Sequence, residues 1–133
     1  MIFVDASALI AIITDEPDAG ELADRLEAER LRFCSALSVW ETVAGLVHGH
    51  TFSVPSAREH VGRFLEAAHS EFVGIGEREF EIAADAYAQY GKGRHPAALN
   101  MGDCYAYACA KANRAKLLFK GNDFSKTDIA VPG

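Results

Sequence analysis

Nothing in this sequence is suited to crossing a membrane or to being stapled by disulfides. The apolar run from Ala8 to Ile13 falls far short of the roughly 18 to 20 residues that span a bilayer. No basic residue precedes that run and Asp5 interrupts the stretch, which argues against a secretory signal. The cysteines Cys34, Cys104 and Cys109 are odd in number and lack zinc-like pairing, so they read as buried thiols in a reducing compartment. His48 and His50 lie close together, but no further histidine or cysteine nearby completes a tetrahedral zinc set. A basic excess is missing as well. Thirteen Lys and Arg against 19 Asp and Glu leave a net charge of −6, which argues against a surface made wholesale for nucleic acid. A cytoplasmic protein without membrane contact is expected.

What remains is an ordinary globular composition, 50% hydrophobic over 133 residues, enough for a single domain spanning 1–133 around one core. There is no internal repeat and no low-complexity linker. The charge is unevenly spread. Lys92, Arg94, Lys111, Arg114, Lys116 and Lys120 share the stretch 92–120 with a single acid, Asp103. Such a local basic surface suits an anionic ligand, and a solvated face would look the same.

Short apolar runs alternate with amphipathic stretches. Strands are expected at Ile2–Asp5, Leu31–Ser35, Phe72–Ile75 and Leu117–Phe119, with a fifth at Ile129–Val131. Ser7 can cap a helix over Ala8–Ile13, and Pro17 fits the first turn of the next, which carries Ala19, Leu22, Ala23 and Leu26. A helix over Ser38–Val47 has Val39, Trp40, Val43, Ala44 and Val47 as its apolar stripe. Ser56 and Glu59 suggest a capping box before Val61, Phe64, Leu65 and Ala68. Another helix carries Phe80, Ala83, Ala84 and Tyr87; a glycine-rich loop covers 90–100, and the last helix runs from Gly102 to Ala115. This alternation predicts an α/β fold, a three-layer α/β/α sandwich with a mainly parallel central sheet. Ligands of such sheets bind beyond the carboxyl ends of the strands.

Four acids fall where the connections lead toward one edge: Asp5, Glu41, Asp103 and Asp123. Carboxylates crowded at a dry edge repel one another and are driven toward the neutral form. A hard divalent cation, Mg²⁺ or Mn²⁺, resolves both problems. Each acid also has a plainer reading. Asp5 can cap the first helix, Asp103 suits the first turn of its helix, and Asp123 sits in an Asn-Asp turn. Glu41 lies off the valine stripe and by itself reads as a solvated glutamate.

The order of motifs carries more than the single residues. "IFVDASALIAI", "SALSVWETVAGL" (35–46), "GRHPAALNMGDCYAYACAKA" (93–112) and "LLFKGNDFSKTDI" (117–129) occur in sequence over essentially the whole chain. In these pieces the chain resembles the PIN-domain family, specifically the VapC-type ribonuclease toxins of bacterial toxin–antitoxin pairs. Between about 48 and 90 the match is only in length and helical pattern. The resemblance implies Asp5 and Asp103 as principal metal ligands, with Glu41 and Asp123 completing a four-carboxylate catalytic site. Ser7 matches the small hydroxyl residue after the first Asp, which orders water at the ion.

The implied chemistry is Mg²⁺-dependent hydrolysis of RNA phosphodiesters, leaving 5′-phosphate and 3′-hydroxyl ends. One ion is expected on Asp5 and Asp103, and a second can be recruited with substrate through Glu41 or Asp123. Lys92, Arg94, Lys111 and Arg114 are candidates for phosphate contacts that position RNA without reading its bases. The resemblance also implies a homodimer and a small VapB-like antitoxin whose tail crosses the active site and which supplies any DNA contact. A haloacid-dehalogenase-like phosphatase would need an acid where Ser7 stands, and a receiver domain would need a paired acid cluster that is absent. A non-catalytic PIN-like RNA-binding or scaffolding module is the alternative from another class. Loss of RNA in Mg²⁺ but not in EDTA separates the two.

Overall fold

Ile2, Phe3 and Val4 are at most 1% exposed, so the first strand is buried on both faces. In the computed structural model, which describes residues 1–121 and 124–129, this strand is β1 (Ile2–Val4). It is followed by α1 (Ala6–Ile13), α2 (Ala19–Glu27), β2 (Arg32–Cys34) and α3 (Ala36–Gly49). Then come α4 (Val54–Ala67), β3 (Ser70–Phe72), α5 (Glu77–Tyr90), α6 (Met101–Ala112) and β4 (Lys116–Leu118). The strands form one parallel sheet in the order β3-β2-β1-β4, with Phe3 opposite Phe33 and Leu117.

Strand pleating divides the core into two layers. Ile2, Val4, Cys34 and Leu118 pack with Leu9, Leu22, Leu46 and Val61 of α1–α4. Phe3, Phe33 and Leu117 point the other way, to Ala83, Ala86, Tyr107 and Cys109 of α5 and α6. The expected three-layer α/β/α architecture is therefore present. The chain winds outward from β1 through β2 to β3, then returns to place β4 on β1's other side. The direction reverses between β1 and β4, which is where open α/β sheets bind ligands.

Several boundaries differ from the sequence expectation. Asp5, not Ser7, caps α1, accepting from the Ser7 amide at 3.1 Å. Helix α3 begins at Ala36 because Ser35 and Ser38 form a reciprocal capping box, with bonds of 3.1 and 3.0 Å. The Ser56–Glu59 box does not form. Pro55 suits the first turn of a helix, so α4 starts earlier with Ser53 as its cap, and Glu59 pairs with Arg63 instead. Pro17 lies ahead of α2, whose cap position is Asp18. Arg114 has φ 54°, a left-handed conformation just after the Asn113 cap, and α6 stops at Ala112. The third strand lies two residues upstream of its expected start, as an edge strand with Phe72 59% exposed. The expected fifth strand falls largely outside the described residues; Ile129, which is described, is buried as loop.

Arg32 ties the amino-terminal edge of the sheet together. Its guanidinium donates to the carbonyls of Glu27 at the end of α2, Glu29 just beyond it and Ala68 at the end of α4, at 2.9–3.0 Å. Charged donors on otherwise orphaned helix-end carbonyls contribute about 1.5–3 kcal/mol. Arg32→Ala is expected to lower stability by about 2 kcal/mol in urea unfolding, leaving the opposite edge of the sheet unperturbed. Among the described residues no helix is long and apolar enough to cross a membrane.

Candidate metal centre

Asp5 stands where β1 ends and α1 begins, only 5% exposed. Its amide donates to Leu118 O of β4 at 2.9 Å, so the residue sits at the switch point itself. Its Oδ2 accepts from the Ser7 amide at 3.1 Å and from Ser7 Oγ at 2.6 Å. Ser7 Oγ in turn accepts from the Lys120 amide at 3.0 Å. The hydroxyl thus bridges the end of β1 to the segment leaving β4. The plainer cap reading of Asp5 is correct and does not compete with a site there, because the capping contact fixes the carboxylate at the edge.

Asp103 is the third residue of α6, whose amino terminus faces the same edge. Its Oδ2 accepts from the Asn100 amide at 3.1 Å while Asn100 Oδ1 accepts from the Asp103 amide at 2.9 Å. This is a capping box, and it holds the acid at the positive end of the helix dipole.

Glu41 is not the solvated glutamate its helical position suggested. It is half-buried, and its carboxyl pKa is raised to about 7 by burial first, then by the charges of Asp5 and Asp103. Room for it comes from Gly102. A Cβ built there would lie 1.9 Å from Glu41 Oε2 and 2.7 Å from Oε1, so the carboxyl rests on the bare backbone of α6. Three acids, from the end of β1, α3 and α6, thus share one electrostatic environment. Asp123 lies outside the described residues. On either side of it in sequence, Lys120 is bonded to Ser7 and Phe124 is 2% exposed against the Phe119 ring.

Among the described residues, no three His, Cys, Asp or Glu side chains converge closely enough to form a metal cage unaided. The donor chemistry nonetheless fits a hard divalent cation. All the donors are carboxylates, and the raised Glu41 pKa reports unrelieved negative charge at a partly dry edge. Burial alone does not mark such a site. Glu79 is 6% exposed yet is accounted for by the Gly76 amide at 2.9 Å and by Arg78 at 3.0 Å. The cysteines match expectation: all three are free and buried, and burial is the main cause pushing Cys104 and Cys109 up to about 11.

Glu41 has a consequence for stability. Its folded pKa lies above the ordinary value of 4.5, so the native state binds the extra proton. In metal-free protein, stability is therefore expected to fall as pH rises from about 4.5 to about 7. Glu41→Gln removes that dependence, which thermal unfolding across the pH range measures.

The basic residues separate into two groups. Lys92 and Arg94 are exposed on the loop that leads into α6, with the Arg94 guanidinium 5.3 Å from the Tyr87 ring centroid. Lys111 lies eight residues beyond Asp103, about 12 Å along the helix axis. It pairs with Asp128 at 2.9 Å, and Asp128 also accepts from Tyr107 at 2.5 Å and Tyr90 at 3.3 Å. Arg114 is exposed beyond that helix end.

Two apolar surfaces escaped the sequence reading. The buried face of α3 is Ser38, Thr42 and Leu46, with the Thr42 hydroxyl satisfied by Ser38 O at 2.7 Å. The expected apolar stripe, Val39, Val43 and Val47, is half-buried against the core and also lines an open groove of about 870 Å³ against α4, with Trp40 67% exposed at its wall. On the opposite layer Phe80, Tyr87 and Met101 form an exposed patch across α5 and α6. The available signal was that α3 has apolar residues on more of its circumference than one core contact needs.

Comparison with known proteins agrees with the geometry. The PIN domain family profile matches residues 2–130. Ribonuclease VapC30 of Mycobacterium tuberculosis is 43% identical over 128 residues, covering 96% of this chain and 95% of its own. Ribonuclease VapC of Mycolicibacterium smegmatis is 42% identical over 128 residues, at 96% and 97% coverage. Among solved structures, M. tuberculosis VapC20, described as a sarcin-ricin loop cleaving toxin, superposes with a TM-score of 0.75 at 17% identity, over 98% of this chain and 97% of its own. VapBC2 of Rickettsia felis, solved on a DNA fragment from its promoter, gives 0.74 at 14% identity, over 98% and 96%. With the PIN profile spanning nearly its whole length and these relatives above 40% identity, the chain belongs to the PIN-domain family, in its VapC-type branch.

Proposed function

We propose that this VapC-type chain is a Mg²⁺-dependent endoribonuclease, acting in the cytoplasm as the toxin of a toxin–antitoxin pair. The observation that carries the reading is that the charges of Asp5 and Asp103 both raise the pKa of Glu41, beside the β1/β4 switch point. Asp5 and Asp103 hold a divalent cation, Mg²⁺ or Mn²⁺, through carboxylates fixed by Ser7 and by the α6 capping box. The cation supplies Lewis acidity at the scissile phosphate and lowers the pKa of the attacking water. Glu41, ionised once the local charge is relieved, adds a carboxylate on the α3 side, and Asp123 a fourth after β4. Ser7 keeps Asp5 in one orientation. Lys92 and Arg94, on the loop entering α6, hold flanking RNA phosphates; Lys111 and Arg114 are more distant contributors.

The two apolar surfaces suit two partners. The α3–α4 groove takes an apolar segment of a VapB-like antitoxin, with Trp40 as a ready reporter, and an antitoxin basic residue reaching the acids would compete with the cation. The α5–α6 patch pairs with a second copy of the chain. The decisive experiment is incubation of purified protein with RNA. Cleavage in Mg²⁺ that EDTA abolishes and added Mn²⁺ restores is expected. Retention of RNA without cleavage under every metal condition would leave a binding module instead.

A further inference from the structure

We propose that Lys120 is a positioning residue for the metal centre, acting through Ser7 on Asp5 while its charge is held by Glu16 and Asp18. Sequence reading counts Lys120 among the basic residues of the 92–120 stretch. Its ammonium, however, reaches into the α1–α2 connection. It bonds Glu16 and lies 3.4 Å from Asp18 Oδ1, a buried oxygen with no hydrogen-bond partner of its own. That ion pair pins the chain leaving β4 against the chain leaving α1.

The pinned backbone has a chemical task. The Lys120 amide donates to Ser7 Oγ, occupying an acceptor site on the hydroxyl. Ser7 has one hydroxyl proton, and it goes to Asp5 Oδ2 at 2.6 Å. The polarity of the relay is therefore fixed: Lys120 amide to Ser7, Ser7 to Asp5. Without the Glu16–Asp18 anchor the backbone at 120 slackens, the hydroxyl is free to rotate, and Asp5 loses the contact that sets its carboxylate plane. Hydrogen-bonded supports behind a metal ligand tune affinity in this way, typically by about 10–100-fold. A half-exposed ion pair contributes little to folding, so stability should barely respond.

The proposal rests on Asp5 holding a divalent cation, and the test keeps the two apart. Mn²⁺ affinity of the full chain is measured by calorimetry, alongside thermal unfolding and the Mg²⁺ dependence of RNA cleavage. Lys120→Gln and the double variant Glu16→Gln/Asp18→Asn are each expected to weaken Mn²⁺ binding by about 10-fold. The Mg²⁺ concentration for half-maximal cleavage should rise in parallel, with kcat at saturating metal retained. Lys120→Arg should restore binding. Unchanged Mn²⁺ affinity in the double variant, while Asp5→Asn loses binding, overturns the role of Lys120 alone. Wild-type Mn²⁺ affinity in Asp5→Asn overturns the underlying assignment of Asp5. Should Lys120→Gln fail to fold, the Glu16/Asp18 variant still decides, since it leaves Lys120 in place. Tighter RNA binding by that variant, with metal affinity unchanged, would make Lys120 an RNA contact and overturn the proposal.

Discussion

Asp5→Asn is expected to abolish RNA cleavage, a loss of at least about 10³-fold, while the protein remains folded. Asparagine keeps the shape of the side chain and can still accept from the Ser7 amide to cap α1. What it lacks is the charge that holds a cation. The same substitution carries an internal check. Asp5 is the second cause, after burial, of the Glu41 pKa near 7. Removing its charge should move Glu41 back toward the ordinary carboxylate range, measurable by NMR titration of metal-free protein. Asp103→Asn should behave alike, since it too raises Glu41 and its capping geometry tolerates an amide. Full activity of both variants in Mg²⁺ would end the metal-centre assignment.

Gly102→Ala is expected to be nearly as damaging, although it adds one methyl group and removes no functional atom. The added Cβ would fall 1.9 Å from Glu41 Oε2 and 2.5 Å from its Cδ, well inside contact distance. Glu41 must then leave the edge it shares with Asp5 and Asp103. Misplacing a reacting constellation by about 1 Å costs on the order of 10²-fold in rate. Alanine favours helix over glycine by about 1 kcal/mol, so the variant should be no less stable than the wild type. Gly45→Ala is the control. Its Cβ would meet only the end of the Ile10 side chain at 2.6 Å, a neighbour free to change rotamer. A fall in cleavage at 102 but not at 45, with intact unfolding transitions for both, isolates the seating of Glu41.

How much of this was legible beforehand depended on the kind of interaction involved. The layers and the parallel sheet follow from local pattern, because Ile2, Phe3 and Val4 can only belong to a strand covered on both sides. Asp5 and Asp103 were legible because each terminates or opens an element, so sequence position fixes their place at an edge. Glu41 was not, since it lies off the valine stripe and its burial comes from the bare backbone of Gly102 in α6, which its own helix does not reveal. The small polar residues Ser38 and Thr42 satisfy their own hydroxyls and face the core, which leaves the larger valines half-buried at its margin. Hydrophobicity ranks valine above serine, whereas close packing of α3 on its neighbours favours the smaller side chain. Gly102 and Lys120 were illegible for another reason: their roles are set by contacts with residues tens of positions away, which no local window contains.

The placement of β4 beside β1 also dictates when the centre comes into being. Asp5 is translated well before the segment that supports it, since the Ser7–Lys120 bond spans 113 positions of sequence. At about 5–20 residues per second, roughly 6–23 s of synthesis separate the two. Until then β1 has no complete β4 neighbour, and the Lys120 relay is not available to it. A nascent chain surrounded by ribosomal and messenger RNA therefore carries an unfinished blade, sharpened only when β4 is laid down.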